Sequence, residues 1–301
     1  MMRSITEADV RAVLRWDELI AAMEKALIDF SSGRVVQPVR HFLTLEEGKR
    51  HFLSMPAATE HAMGLKAVTF YPANEGTGVP THMAMVLLFD PATGEPLAAM
   101  DGRLITEMRT AAVSAAVTNH LASPNARVLA IIGSGVQAKA HLQALRHVRD
   151  FDEVRVHSRT AAHEEAFARA HGAKAMDAEP AVRGADVIVV ATTAMRPVLK
   201  GEWLKPGAHV NAIGAARPTW RELDDEAMDK IVIADSREAV LQEAGDVILS
   251  NAKVYAEAGE ILAGTSRISS TETTVFKSVG LAIEDIAAAK LVFDRIRSNG
   301  M

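Results

Sequence analysis

The chain has 301 residues, enough for one large domain or two smaller ones, and its 49% apolar and 24% charged residues exclude wholesale disorder. A formal net charge of −5 and a pI near 6.1 give no electrostatic ground for nucleic acid or an anionic membrane as partner. Cysteine is absent, which removes disulfides, thiolate catalysis and Cys-based zinc sites. With no apolar leader at the start and no segment of bilayer-spanning length, a cytoplasmic location is expected.

Residues 6–30 read as two amphipathic helices. The second places Leu19, Ile20, Met23, Leu27 and Phe30 on one face, with Asp17 as its cap and Ser31-Ser32-Gly33 as its end. From 35 to 99 the pattern changes to short strand-like runs at 39–45, 51–55, 65–70 and 83–89. Asp90-Pro91-Ala92-Thr93-Gly94 then turns the chain into a hairpin partner at 96–100. Such a meander forms an antiparallel layer with helices on it, separate from any parallel sheet. A helix over 106–121 is rich in alanine between Arg109 and Ala116, a composition suited to close packing. Ser123-Pro124-Asn125 breaks it and marks a domain boundary.

The next stretch is the most informative. The apolar run 128–132 stops at Gly133-Ser134-Gly135, and a helical pattern begins at once with Val136, Gln137 and Ala138. Strand, glycine turn and helix together give Gly-x-Gly-x-x-Gly/Ala its meaning as a dinucleotide fingerprint. Gly133 permits the tight turn, Gly135 leaves room for a pyrophosphate, and Ala138 keeps the helix close to the sheet, so that the phosphates sit on the amides of a helix N-terminus. That helix, over 136–149, is expected to turn Val136, Leu142, Leu145 and Val148 to the sheet. Apolar runs at 154–157, 187–191, 210–213 and 231–234 alternate with helical stretches, as in a parallel α/β sheet of about six strands. A final amphipathic helix runs from 281 to 296 with Ile283, Ile286, Ala287, Leu291 and Ile296 on its face.

The strand at 154–157 leads into Ser158-Arg159-Thr160, with no acid in the immediate turn. A carboxylate there would bond the ribose hydroxyl of NAD and repel the extra phosphate of NADP; an arginine fork with two hydroxyls instead suits that phosphate, so NADP(H) is favoured over NAD(H). No His-Glu-x-x-His or compact ligand cluster supports a metal site, and the serine of the glycine turn is not in a nucleophile-elbow motif.

Several segments, in order, carry a resemblance over nearly the whole chain: Gln37-Pro38-Val39-Arg40, Gly64-Leu65-Lys66-Ala67-Val68, Pro80-Thr81-His82, Thr93-Gly94-Glu95-Pro96-Leu97-Ala98, Asp101-Gly102 through Arg109-Thr110-Ala111-Ala112, the glycine turn, Asn211-Ala212-Ile213-Gly214-Ala215 and Ser278-Val279-Gly280. The sequence resembles the ornithine cyclodeaminase/mu-crystallin family. The resemblance implies an α/β fold in which a Rossmann-type parallel-sheet domain, 123–280, is inserted into an α+β substrate-binding and dimerisation domain, 1–122 plus 281–301. It implies a homodimer acting on small α-amino or α-imino acids with a nicotinamide cofactor. Arg40, Lys66, Arg109 and Val279 would meet the substrate, with Arg40 and Arg109 clamping its carboxylate and Lys66 holding the same group or polarising the carbon–nitrogen bond. Thr81, Arg109, Thr192, Ile213 and Ser278 would join the glycine turn and Ser158–Thr160 around the cofactor, and His82 would be placed to give a proton.

One departure narrows the reading. Where the cyclodeaminase and alanine dehydrogenase branches carry an aspartate, the segment Gly214-Ala215-Ala216-Arg217-Pro218-Thr219-Trp220 has Ala216, and Trp220 stands where they have a lysine. A methyl group exchanges no proton, which disables oxidation, ammonia loss and re-reduction more than it disables reduction of a ready-made imine. This form looks like the mu-crystallin/ketimine reductase branch: hydride transfer to the imine carbon of a cyclic ketimine such as 1-pyrroline-2-carboxylate, or of a linear imine such as iminosuccinate. The alternatives are an ornithine cyclodeaminase or alanine-type dehydrogenase and, from another class, a crystallin-like protein that binds NADP(H) and a small ligand without turnover.

Overall fold

The computed structural model of the chain describes residues 2–74, 76–269 and 271–300. It divides into two units, Met1–Thr110 with Leu281–Met301, and Ala111–Gly280. The division falls inside a helix rather than at the Ser123-Pro124-Asn125 break, because the alanine-rich half of that helix packs within the second unit.

In the first unit, β1 (Arg3–Ile5), α1 (Glu7–Val13) and α2 (Trp16–Ser31) precede the meander of β2 (His41–Glu46), β3 (Arg50–Ala58), β4 (Met63–Phe70), β5 (His82–Phe89) and β6 (Pro96–Asp101). Thr6 caps α1 in a reciprocal capping box with Asp9. Arg15, not Asp17, occupies the cap position of α2; Asp17 lies in the first turn, where it still favours the helix dipole. The six strands take the order β1-β6-β5-β4-β3-β2. The meander pairs antiparallel as its pattern predicts, while β1, too short to register in the sequence, joins β6 in parallel.

Period-two alternation gives this sheet one buried face, holding Leu53, Met55 and Ala57 of β3, Val68 of β4, Val86 and Leu88 of β5, and Ala98 and Met100 of β6. The C-terminal helix, Ala282–Ser298, lies against β3, β4 and β5 and against α2. Gly64 lets it come close: a Cβ at that position would meet the carbonyl oxygen of Leu87 at 2.5 Å and Cδ1 of Ile286 at 2.6 Å. Ala287 and Leu291, expected on the helix's buried face, are only half-buried, while Ala288, Ala289, Val292 and Phe293 take the interior.

The helix α3 (Arg103–Leu121) starts in this unit. In the second unit its residues Ala111, Ala112, Val113, Ala115, Ala116 and Val117 are all buried, the close packing that small side chains permit. Arg149 caps its C-terminal end, donating to the carbonyls of Asn119 at 2.9 Å and Ala122 at 2.8 Å. The rest of the unit is an eight-stranded sheet, two more strands than the pattern suggests. Its members are β7 (Val128–Ile132), β8 (Glu153–His157), β9 (Lys174–Ala175), β10 (Val187–Val190), β11 (His209–Ala212), β12 (Ile231–Ala234), β13 (Val254–Glu257) and β14 (Thr274–Lys277). Their order is β13-β12-β14-β11-β10-β7-β8-β9, all parallel. After β7 the chain builds outward through β8, then returns to add β10 on the other side. The strand ends of β7 and β10 therefore form the switch point at which open α/β sheets bind ligands. The helix α4 (Val136–Leu145) buries Leu142 and Leu145 as expected, but Val136 is 62% exposed: as the first helical residue it lies beyond the end of β7, with no sheet to cover it.

Candidate active site

The second unit carries a dinucleotide cradle at the C-terminal ends of its strands. Gly133 has φ +120°, and a Cβ there would meet the carbonyl oxygen of Ala191 at 2.4 Å, so no other residue lets the turns after β7 and β10 touch. Gly135, the cap residue of α4, has no atom within 4 Å of where its Cβ would be, and no side chain caps the helix. Open space in front of uncapped N-terminal amides is what a pyrophosphate requires, and the residues present fit that group. Ser134 and Ser158 join their hydroxyls at 2.8 Å, tying the turn after β7 to the turn after β8. Arg159 and Thr160 are exposed. The fold also brings an acid to this turn from further along the chain. Glu164 accepts from the Ser158 amide at 2.6 Å and lies 3.1 Å from Nδ1 of His157.

Around Thr192, Ile213 and Ser278 the strand ends are braced from below by buried charges. Glu222 takes both the amide and the hydroxyl of Thr192 on Oε1 at 2.6 Å, and its Oε2 is buried with no hydrogen-bond partner among the described residues. Burial, with some help from Asp246, pushes the Glu222 carboxyl up to about 7 against the pull of Lys277 and Thr192. Lys277 is wholly buried at the end of β14; it donates to the Gly214 carbonyl and to Asp246 Oδ2 at 2.8 Å, while Asp246 Oδ1 accepts the amides of Glu222 and Leu223. Asp235 holds the following loop: its Oδ2 accepts from the Ser278 hydroxyl at 2.9 Å and from the amides of Val279 at 2.8 Å and Gly280 at 2.7 Å. Ile213 is half-buried just past β11, and Ala216, exposed two residues beyond Gly214, offers no exchangeable proton.

The first unit gathers the cations. Lys66 lies in the middle of β4 on the helix-covered face, between its neighbours Met55 and Val86 across the sheet, and is 2% exposed. Its ammonium donates to Asp285 Oδ1 at 2.9 Å. Arg109 of α3 donates through Nε to the same oxygen at 3.0 Å and through Nη1 to Glu284. Both carboxylates stand in the first turn of the C-terminal helix, where the helix dipole favours negative charge. Burial is the largest influence on Lys66 and, with repulsion from Arg109 and Arg40, brings its ammonium down to about 8 in spite of Asp285. Burial also opposes the charge on Arg109, but Asp285 and Glu284 outweigh it and hold the guanidinium above its ordinary value. The Asp285 carboxyl would rise on burial alone; Arg109 and Lys66 keep it below the usual range.

His82, at the start of β5, is pushed down to about 4 by burial and then by Lys66 and Arg109. A neutral imidazole results near pH 7, and that form is a poor acid. Thr81, just before it, is half-buried and accepts the Tyr71 amide on its carbonyl at 2.7 Å. The structure thus brings Arg40, Lys66, His82 and Arg109 into one electrostatic cluster. Sequence reasoning missed Glu284, Asp285, Glu222, Lys277, Asp246 and Asp235. The available signal was charge inside apolar segments: Ala282-Ile-Glu-Asp-Ile286 and Thr274-Val-Phe-Lys277. Among the described residues no group of three His, Asp or Glu could hold a metal ion, and no helix is long and apolar enough to cross a membrane.

A family profile described as the ornithine cyclodeaminase/mu-crystallin family matches residues 1–300. The chain is 49% identical over 285 residues to the ketimine reductase mu-crystallin of Mus musculus, covering 92% of this chain and 91% of that protein. Its fold matches the Δ1-pyrroline-2-carboxylate reductase of Thermococcus litoralis, solved with NADH and L-proline, with a TM-score of 0.93 at 35% identity over 100% of this chain and 99% of that one. An archaeal alanine dehydrogenase dimer with bound NAD matches with the same TM-score of 0.93 and 35% identity, over 100% of this chain and 97% of that one.

Proposed function

The chain belongs to the ornithine cyclodeaminase/mu-crystallin family, and from that premise we propose that it reduces the C=N bond of a small cyclic α-imino monocarboxylate, such as 1-pyrroline-2-carboxylate, to an L-amino acid. The carrying observation is the buried cation cluster around Lys66. Lys66 pairs with Asp285, Arg109 pairs with Asp285 and Glu284, and Arg40 is close enough to act on Lys66, so three cations converge where a substrate carboxylate could be held. The relatives named as reductases of ketimines and of Δ1-pyrroline-2-carboxylate favour the cyclic substrate over a dicarboxylate such as iminosuccinate. Met55 and Val86 on either side of Lys66 suit the hydrocarbon part of a ring.

In this reading Arg40 and Arg109 hold the carboxylate, Val279 borders the ring, and Lys66, whose ammonium near 8 gives up its proton more readily than an ordinary lysine, supplies one when the imine arrives neutral. His82 orients the substrate. The glycine turn, Thr81, Thr192, Ile213 and Ser278 would seat a nicotinamide dinucleotide, which when bound supplies the hydride. NADP(H) is the preferred form: Arg159 makes no hydrogen bond or ion pair among the described residues, and Ser158 and Thr160 flank it. The charge of Glu164 is engaged with the Ser158 amide and His157.

The first unit would serve substrate binding and dimerisation and the second the nucleotide, in the cytoplasm, which provides reduced dinucleotide. The uncovered face of the first unit's sheet favours a homodimer. Leu43, Phe52, Met83 and Met85 lie on it at neighbouring register positions and are 45%, 37%, 37% and 53% exposed. A contiguous apolar patch of this kind marks an interface, and the related archaeal alanine dehydrogenase is a dimer.

The test is NADPH absorbance on adding 1-pyrroline-2-carboxylate, iminosuccinate, pyruvate with ammonia, or ornithine. The cyclic ketimine should be consumed fastest, and Lys66→Met should abolish consumption while NADPH still binds. Binding without consumption across the panel would replace the enzyme with a ligand-binding protein. Ammonia release from ornithine would revive the cyclodeaminase, and preference for iminosuccinate would overturn the cyclic substrate.

A further inference from the structure

Asp285 touches both Lys66 and Arg109. Its Oδ1 accepts from Lys66 at 2.9 Å and from Arg109 at 3.0 Å, while Oδ2 is buried with no hydrogen-bond partner among the described residues. A carboxylate retained only for packing or for a helix turn normally has both oxygens satisfied, because an unpaired buried acceptor costs about 1–3 kcal/mol. Here one oxygen carries both ion pairs and the other carries none. The carboxylate is therefore stabilised by the two cations themselves. The groups acting on or near Lys66 include Asp285 from the C-terminal helix, Arg109 from α3, Arg40 from the segment before β2, and His82 from β5. Of these only Asp285 favours the charged ammonium. Removing it would leave Lys66 in an apolar sheet face against two guanidinium groups, and the least costly response of such a lysine is to lose its proton.

We infer that Asp285 is a positioning residue for imine reduction, which keeps Lys66 protonated and fixes Arg109 beside it so that both can meet the substrate carboxylate. This rests on the functional reading above and deepens it. A neutral Lys66 could neither hold a carboxylate nor supply a proton, so the working pH range of the enzyme would be set on the C-terminal helix, 219 positions away in the chain. Glu284, the neighbouring residue, pairs with Arg109 through the other end of the guanidinium.

Asp285→Asn tests it with two measurements on the full-length protein. The first is the pH profile of kcat/KM for imine reduction. Lys66 is charged below about 8, and loss of the neighbouring anion lowers that value. The alkaline limb should move to lower pH by about one unit or more, with KM rising more than kcat falls at pH 7. Titration of the substrate itself is common to both proteins and cancels. The second is competitive acetylation of Lys66 against pH, read by mass spectrometry without substrate, whose midpoint should fall in parallel. A limb and a midpoint that both stay within about 0.3 pH unit of wild type, in a folded variant, would overturn the assignment. Should the asparagine variant not accumulate as folded protein, Asp285→Glu replaces it: retention of the charge should keep the labelling midpoint near wild type, and a fall of a full unit would count against the proposal. Wild-type protein that reduces no imine would remove the functional reading but leave the labelling result to judge the lysine–aspartate coupling alone.

Discussion

Asp235→Asn changes one atom in a wholly buried side chain and should be among the most damaging isosteric substitutions in the second unit. The carboxylate accepts four donors: the Ser278 hydroxyl and the Val279 and Gly280 amides on Oδ2, and the Ser236 amide on Oδ1 at 2.8 Å. Asparagine has one acceptor oxygen. In its better orientation the amide oxygen keeps the three donors of the 278–280 loop, and the NH2 group then points at the Ser236 N–H. One charge-assisted bond, about 1.5–3 kcal/mol, is lost outright, and the other three each fall by about 1 kcal/mol as the acceptor becomes neutral. Easier burial of a neutral side chain returns part of this, leaving a net loss of about 2–4 kcal/mol. A chain with two compact units need not unfold in one step, so the sharpest assay is native-state hydrogen exchange at Val279 and Gly280, alongside denaturant unfolding. Both amides should exchange at least about 30-fold faster at the lower bound, since each 1.4 kcal/mol is a factor of ten. NADPH affinity should weaken if Ser278 lines the cofactor. Exchange at these two amides within twofold of wild type, with stability changed by less than about 0.5 kcal/mol, would refute the claim that this carboxylate holds the loop.

Glu222→Gln should alter the pH dependence of stability. The folded carboxyl is raised from 4.5 to about 7, so the folded state holds the proton more tightly. The stability this contributes is present below about 4.5 and is lost as pH rises through about 7, about 3 kcal/mol in all. The glutamine variant keeps the Thr192 acceptor and does not titrate, so denaturant midpoints should show it gaining on wild type between pH 5 and pH 8; a constant difference would refute the raised carboxyl. Arg159→Ala should raise the Kd for NADPH about tenfold or more, as expected for a lost charge-assisted clamp, with little change for NADH in equilibrium binding; equal losses for both would remove the case for NADP(H). Met85→Glu places a charge in the exposed apolar sheet face and should convert a dimer to monomer in sedimentation; a wild-type protein that sediments as a monomer would dispose of the interface.

The parts of the fold that could be read from the sequence are those whose cause is local. The meander announces itself by alternation and by Asp90–Gly94, and the cradle by an apolar run stopped at Gly133. β9, with two residues, and β13, reading Val-Tyr-Ala-Glu, have no local signature and exist because a neighbouring strand edge is there to pair with. Lys66 and Arg109 came from resemblance alone. The structure buries both.

The buried charges illustrate why the remainder was hidden. Lys66, Arg109 and Lys277 are enclosed together with Glu222, Asp235, Asp246, Glu284 and Asp285. Charge inside an apolar segment says that a partner must exist, because an isolated buried ion is too costly to keep. It does not say which partner, or whether the partner is a side chain at all. In the first unit the two acids are answered by cations from β4 and α3. In the second, among the described residues, three buried acids outnumber one buried lysine, and the excess is resolved in two other ways: Asp235 by backbone amides, which every sequence possesses, and Glu222 by a carboxyl that binds its proton more tightly. Neither solution has a residue-type signature. Which carboxylate becomes a loop anchor, a proton-holding group or a lysine's counter-charge is decided by the distances the fold imposes, and the same Asp or Glu could have filled any of the three places.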